Sequence, residues 1–475
     1  MTVRFGTDGW RAVISENFTF ANLRLVAQAI ADFIREENGE DPSVVIGFDT
    51  RFLSDRYAAD VARVMAANNI RTWLARADTP TPAVSYAIVH KQATGGVMIT
   101  ASHNAPRYNG VKLKASYGGS ANRAHNMRVE MLLERNLESG RGPNLMDLET
   151  AIRTERVCKF DPSWAYYEHL STLVDLDIIS NGELRVVADG MYGSGRGVFG
   201  EVLARGRTRL HNIRHEMNPG FGGIHPEPIA RYLGLLTSTI QAGHWDVGLA
   251  TDGDADRIGA VDAQGNFVDP HRIFALVLRY LMEKRGWKGD VVRTVSTTRM
   301  VDRLAEKYGL ALVETPVGFN HIADLMIDND VLMGGEESGG ISVRGHIPEG
   351  DGVLMGLLLL EVMADAGAPL HELVSDLLRE VGPAQYARTD LQLKRPVAKA
   401  GMVQMLMDCA PSRIAGVGIE TVQTLDGVKY YLEDGSWLLI RPSGTEPVLR
   451  VYAEAPTDER VQALLDFGEE MAQKA

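Results

Sequence analysis

Cysteine is nearly absent. The 475 residues include two, Cys158 and Cys409, far apart and without a partner spacing, which excludes a disulfide framework or a cysteine-based zinc site and fits a reducing cytoplasm. A basic excess is missing as well: 49 Lys plus Arg stand against 62 Asp plus Glu, a formal net charge of −13, so a nucleic-acid partner is not expected. Any anionic ligand would have to be drawn in by local basic loops against a repulsive overall field. Long apolar runs are also lacking. The beginning, MTVRFGTDGW, has neither the basic nor the apolar region of a signal peptide, and the run around Leu357 to Leu360 is far too short to span a bilayer. The expectation is therefore a cytoplasmic protein with no membrane partner. What is present is ordinary globular composition, 45% hydrophobic and 23% charged, on a chain roughly two to four times the length of a usual domain, so several domains are expected.

The pattern along the chain repeats. Ser43 to Phe48 (SVVIGF) reads as a buried strand, followed by a helical stretch from about Ser54 to Asn68 and a second strand near Ile70 to Leu74. Leu184 to Ala188, a helix to about Ala204 and a strand near Thr208 to Asn212 form a similar unit. Asp290 to Val295, a helix from Thr298 to Tyr308 and Ala311 to Glu314 form a third. Each unit later reaches a strand that runs into a small polar loop, within 95–104, 246–257 and 330–340. Ligands in open α/β sheets gather at the carboxyl ends of strands, so three such loops predict one composite cleft. From about Gly382 the texture changes to strands joined by tight turns and a closing helix from about Asp458 to Gln473, an α+β pattern. The stretch from about Ser120 to Asp161 reads as a helical appendage with a linker.

The loops differ in what chemistry they offer. Ser102, in TASHN, follows an apolar strand in a turn where a hydroxyl is a nucleophile, a phosphate acceptor or only a cap; Arg107 and Lys112 bring cations near it. Asp252, Asp254 and Asp256 alternate in DGDADR and set three hard oxygen ligands on one side of a turn. An EF-hand is excluded, because its sixth position would be Arg257 instead of Gly and its twelfth Ala263 instead of Glu. Three carboxylates leave coordination open for phosphate or water oxygens, which suits Mg2+ in phosphoryl transfer. In GGEESGG, Glu336, Glu337 and Ser338 sit in a glycine setting suited to sugar hydroxyls, or form a plain acidic turn. Arg441, Ser443, Gly444 and Thr445 of RPSGTEP offer a guanidinium, hydroxyls and backbone amides, the inventory of an anion cradle. The match Gly195-Arg196-Gly197-Val198-Phe199-Gly200 to a dinucleotide fingerprint is set aside, since its first glycine falls well past the strand.

Taken in order, FGTDGWRA (5–12), TASHNAPRYNGVK (100–112), DGDADR (252–257), GEESGG (335–340) and RPSGTEP (441–447) resemble the five loops of the α-D-phosphohexomutase superfamily, and the likeness spans the chain. The resemblance implies three similar α/β domains with mixed sheets around a central cleft, plus a C-terminal α+β domain, with expected bounds 1–150, 151–262, 263–378 and 379–475. It implies that Ser102 is the phosphoserine and that Asp252, Asp254 and Asp256 hold Mg2+ together with an oxygen of that phosphate. Lys112 is then the acid/base group, with His103 lining the same pocket and Arg11 supporting the first loop. Substrate contacts fall to Arg257, Gly318, Glu336 and Ser338, and to Arg441, Ser443, Gly444 and Thr445. The implied reaction interconverts 1- and 6-phosphates of a hexose through a 1,6-bisphosphate, with glucose 1,6-bisphosphate as activator and a small-molecule sugar phosphate as the ligand. GEESGG resembles the glucose-type loop, while Asn320 stands where many glucose-type members carry Lys, with His321 as an alternative contact. Phosphomannomutase, dual-specificity and phosphoglucosamine mutase activities remain open. So do a Mg2+-dependent phosphohydrolase and a non-catalytic sugar-phosphate sensor.

Overall fold

Strands buried on both faces read as continuous apolar runs, and those runs form the middle of three sheets in the computed structural model, which describes residues 3–6, 9–38, 41–393, 399–442 and 448–473. In the first sheet Ser43–Phe48 lies parallel to Arg71–Ala75 on one side and to Gly95–Ile99 on the other; Tyr108–Ala115 and Trp10–Val13 follow antiparallel. The second sheet repeats this arrangement. Arg185–Asp189 lies between parallel Arg209–Ile213 and Val247–Thr251, with Ile258–Asp262 antiparallel beyond. So does the third, with Asp290–Thr294 between Leu312–Thr315 and Val331–Gly335, then Ile341–Val343 antiparallel. The three loops picked out in the sequence thus leave the same strand of each unit, Gly95–Ile99, Val247–Thr251 and Val331–Gly335.

Two edge strands are less visible in the sequence. The stretch that reads as an appendage contains helices Arg123–Glu138 and Leu148–Arg153, but then Val157–Phe160 joins the first sheet beside Arg71–Ala75, beyond residue 150. Phe267–Val268 likewise extends the second sheet beyond residue 262. The last sheet is wholly antiparallel: Gln385–Gln392, Val448–Ala455, Trp437–Pro442, Val428–Leu432, Val417–Gln423 and Arg413–Ile414 lie side by side, with Asp458–Gln473 packed against them. These four sheets make an α/β fold of three similar units plus a C-terminal α+β unit, as expected.

The first and fourth units each have a separate apolar core, whereas the second and third share one. That shared core is built on helix Gly352–Ala366, whose middle is apolar all round because it is covered on every side. Among the described residues no single helix is long and apolar enough to cross a membrane.

Candidate active site

Ser102 adopts a positive φ of 51° at the end of Gly95–Ile99, a conformation uncommon outside glycine, and the surrounding chain over-determines it. Its amide donates to Thr100 Oγ1 at 2.8 Å. Its carbonyl accepts from Arg51 Nη2 at 2.6 Å, and the same guanidinium reaches the carbonyls of Asn104, Ala105 and Tyr108. Arg51 is itself held by Asp49 at 3.0 Å, and Asp49 takes the hydroxyls of Thr100 and Ser54. Burial pushes the Asp49 carboxyl up to about 6 despite Arg51. Arg11, from the first strand, donates to Asn104 Oδ1 at 2.7 Å. A buried fork of five donors therefore moulds the whole serine loop, and Arg51 was not among the residues singled out in the sequence.

Ser102 Oγ donates to Asp252 Oδ2 at 2.9 Å, which brings the first loop onto the second. Oxygens of Asp252, Asp254 and Asp256 all lie within 4.8 Å of one another, and the three residues are buried. Lys112 Nζ stands 3.0 Å from Asp254 Oδ2 and 2.7 Å from Asp256 Oδ2. Burial, then the charges of Asp256 and Asp254, drive the Asp252 carboxyl well above the usual range. Asp254 meets the same burial, but Lys112 and the Thr81 hydroxyl outweigh it and hold that carboxyl low. Two oxygens, Asp254 Oδ1 and Asp256 Oδ1, are buried without a hydrogen-bond partner among the described residues. Buried carboxylate oxygens without a partner, in a triad whose ligand atoms lie this close together, fit a divalent cation with oxygen ligands, Mg2+ before zinc.

Neighbouring units fix the aspartate loop. Thr81, which opens helix Thr81–His90, donates its amide to Asp254 O at 2.8 Å and its hydroxyl to Asp254 Oδ2 at 2.7 Å. Gly352, which opens helix Gly352–Ala366, donates its amide to Ala255 O at 3.0 Å, and Ala255 has a φ of 61°. Arg257 N closes the turn on Asp252 Oδ1 at 3.2 Å, and its guanidinium faces Glu227 at 3.9 Å.

A cleft of about 1800 Å³ opens beside these loops, lined from all four units. His103, Arg11, Asp256, Arg257, Gly318, Glu336, Glu337 and Ser338 line it, as do residues not singled out in the sequence: His225, Glu227, Arg388, Asp390 and Arg450. Ser102 and Lys112 lie just beneath its surface, each 1% exposed. Burial lowers His103 well below the ordinary histidine range, and the guanidiniums of Arg257, Arg11, Arg388 and Arg450 push the same way, so its imidazole stays neutral. Glu336 Oε1 accepts the amide of Gly318 at 2.9 Å, and burial followed by Glu337 raises its carboxyl to about 7. Asn320 is buried, and its Oδ1 has no hydrogen-bond partner among the described residues.

In the fourth sheet Asp390 pairs opposite Arg450 and Arg450 opposite Arg441, so these three share a face, with Arg388 two residues from Asp390 on the same side. Ser443, Gly444 and Thr445 lie outside the described residues. Strand alternation around Arg388 and Arg450 carries a faint signal in the sequence, but register alone sets them beside Arg441.

Comparison with known proteins agrees with this geometry. Four family models match successive stretches: phosphoglucomutase/phosphomannomutase alpha/beta/alpha domain I at residues 2–139, domain II at 164–265, domain III at 269–381, and the C-terminal domain at 394–470. A relative from Thermococcus gammatolerans named as a probable phosphoglucosamine mutase is 32% identical over 99% of this chain and 98% of its own. A phosphoglucomutase/phosphomannomutase of Thermococcus kodakarensis is 29% identical over 99% and 98%. Among solved structures, a Thermus thermophilus protein named as a phosphomannomutase aligns over 100% of this chain and 99% of its own, at 34% identity and a TM-score of 0.87.

Proposed function

The chain belongs to the phosphoglucomutase/phosphomannomutase family, an isomerase family of phosphohexomutases, and on that premise we propose that it interconverts glucose 1-phosphate and glucose 6-phosphate through a phosphoserine at Ser102. The observation that carries this reading is the 2.9 Å hydrogen bond from Ser102 Oγ to one member of a buried aspartate triad whose outer oxygens are unsatisfied. A phosphoserine there would meet three carboxylates, a repulsion that only a cation relieves. Asp252, Asp254 and Asp256 would hold Mg2+, which supplies charge neutralisation and polarisation of the phosphoryl group.

In the forward half-reaction the bond between phosphorus and Ser102 Oγ breaks as a sugar hydroxyl oxygen bonds phosphorus, giving glucose 1,6-bisphosphate. The hydroxyl proton ends on Ser102 Oγ, with Lys112 as the acid/base group. Turning the bisphosphate over and reversing the transfer from its other end completes the isomerisation. His103, held neutral, and Arg11 shape the serine loop. Glu336, Gly318 and Ser338 receive the sugar, with Arg257 beside them. The distal phosphate falls to Arg441, Ser443, Gly444 and Thr445, to which we add Arg388 and Arg450. Burial of Ser102 and exclusion of water favour transfer to sugar over hydrolysis.

A coupled assay with Mg2+ and trace glucose 1,6-bisphosphate, run on glucose, mannose and glucosamine 1-phosphates, tests the reading. Turnover fastest on glucose 1-phosphate without release of inorganic phosphate is expected. Release of stoichiometric inorganic phosphate would make the protein a hydrolase, and a faster rate on one of the other sugars would reassign the substrate. Ser102→Ala should lower turnover by about 10³-fold or more; full activity in that variant would end the phosphoserine mechanism.

A further inference from the structure

Asp426, in the turn between Val417–Gln423 and Val428–Leu432, is 4% exposed and faces three donors from two units. Its Oδ2 accepts both Arg441 Nε at 2.6 Å and the backbone amide of Val317 at 3.1 Å. Its Oδ1 is bonded by the Lys399 ammonium. Despite burial, Arg441 and Lys399 hold this carboxyl below the usual range, so it is ionised wherever the cleft works.

The next amide along the chain, that of Gly318, donates to Glu336 Oε1 at 2.9 Å. Two consecutive backbone amides are therefore divided between two carboxylates, one holding the arginine proposed to grip phosphate and the other proposed to read the sugar. The division depends on the backbone at Gly318, whose φ of 133° is closed to residues with a side chain; a Cβ there would also lie 2.6 Å from Asn320 Oδ1. Helix Phe319–Asp328 begins directly after it, so this short segment cannot shift without shifting the helix and Asn320.

We propose that Asp426 is a positioning residue which, through Val317 and Gly318, sets the phosphate-gripping Arg441 of the fourth unit in register with the sugar-reading Glu336 of the third. This rests on the assignment of Arg441 and Glu336 in the proposed function. It makes recognition of the two ends of the ligand interdependent: a hexose phosphate that engages Arg441 finds Glu336 already at the right distance, because both are tied to adjacent peptide groups. Asp426 touches neither the reacting phosphoryl group nor, by its burial, the sugar.

The test is a double-mutant cycle with Asp426→Asn and Glu336→Gln. Asparagine keeps the shape and one acceptor for Val317 while releasing the charge on Arg441. Alone, Asp426→Asn is expected to raise KM for the hexose phosphate about tenfold with kcat within about threefold, the size of one charged hydrogen bond lost from ligand binding. The double variant is expected to lose at least about fivefold less kcat/KM than the product of the single losses, since the two residues act as one unit. Losses that simply multiply, or an unchanged KM in Asp426→Asn, overturn the proposal. The same cycle is read as Kd for glucose 6-phosphate by calorimetry, which needs no turnover. Wild-type protein that binds the ligand and shows the coupling but turns over no hexose phosphate would therefore sink the mutase reading and leave this one standing.

Discussion

Lys112 occupies a place that a cation would also favour, between Asp254 and Asp256 at 3.0 and 2.7 Å and buried with them. An ammonium and a divalent ion that share two carboxylates repel each other across a few ångströms, and in a buried site that repulsion is weakly screened. Lys112→Met should therefore bind Mg2+ more tightly than the wild type, by about tenfold in calorimetric Kd, even though it abolishes turnover. Weaker Mg2+ binding in that variant would mean that Lys112 organises the triad instead of competing for it. The three aspartates at alternate positions and the serine after an apolar strand were legible because each loop carries its chemistry locally, and the structure brings them together. Arg51, Asp426, Arg388 and Arg450 were not. Arg51 acts on a loop some fifty residues further on, Asp426 through a backbone amide of another unit, and the two arginines through strand register; none of these pairings has a sequence spacing to read.

At the scale of elements, the aspartate loop hangs from two helix starts. Thr81 and Gly352 each direct an N-terminal amide at a carbonyl of the loop, which places the positive ends of two helices beside a concentration of carboxylates. Gly352 is needed there for close approach: a Cβ would lie 2.0 Å from Arg257 O and 3.2 Å from Ala255 O, both backbone atoms with no room to yield. Gly352→Ala is expected to push the helix start off the loop, with a loss of about 1–3 kcal/mol in stability and weaker Mg2+ binding, both measurable by thermal melts with and without Mg2+. A variant with wild-type melts in both conditions would show the contact to be incidental. The sequence showed the repeated units because each central strand carries a short apolar stretch, VVIGF, VVA or VV, ahead of a helical segment. It hid Val157–Phe160, a four-residue edge strand in which Val157 alone is buried, so short a segment that it is hard to tell from a linker.

The whole molecule is held together by junctions between units, and the one joining the third and fourth is electrostatically unusual. One face of the last sheet brings Lys429, Tyr431, Trp437 and Tyr452 against Val295 of the third unit. Lys429 is buried; its Nζ donates to Val295 O at 2.6 Å and to Glu314 Oε1 at 3.1 Å, and lies 4.4 Å from the centre of the Trp437 ring. Glu314 is shared with Arg293 at 2.5 Å and with the Tyr431 hydroxyl at 3.0 Å. Burial, reinforced by Arg293, brings Lys429 down from 10.5 to about 7. A lysine with a depressed folded pKa binds fewer protons in the native chain than in the unfolded chain between those two values, so this group makes stability rise with pH from about 7 to about 10.5. Below that window both states are protonated and its burial penalty is constant. The rest of the molecule, at a net charge of −13, responds to rising pH in its own way, but that background is common to any variant at this one site. The difference in Tm between Lys429→Met and wild type isolates it: the variant should gain most, or lose least, at pH 7, and fall steadily behind as pH climbs toward 10. A difference that stays flat over that range would mean that Lys429 keeps its proton at the junction, and that Glu314 and the aromatic rings sustain an ammonium there.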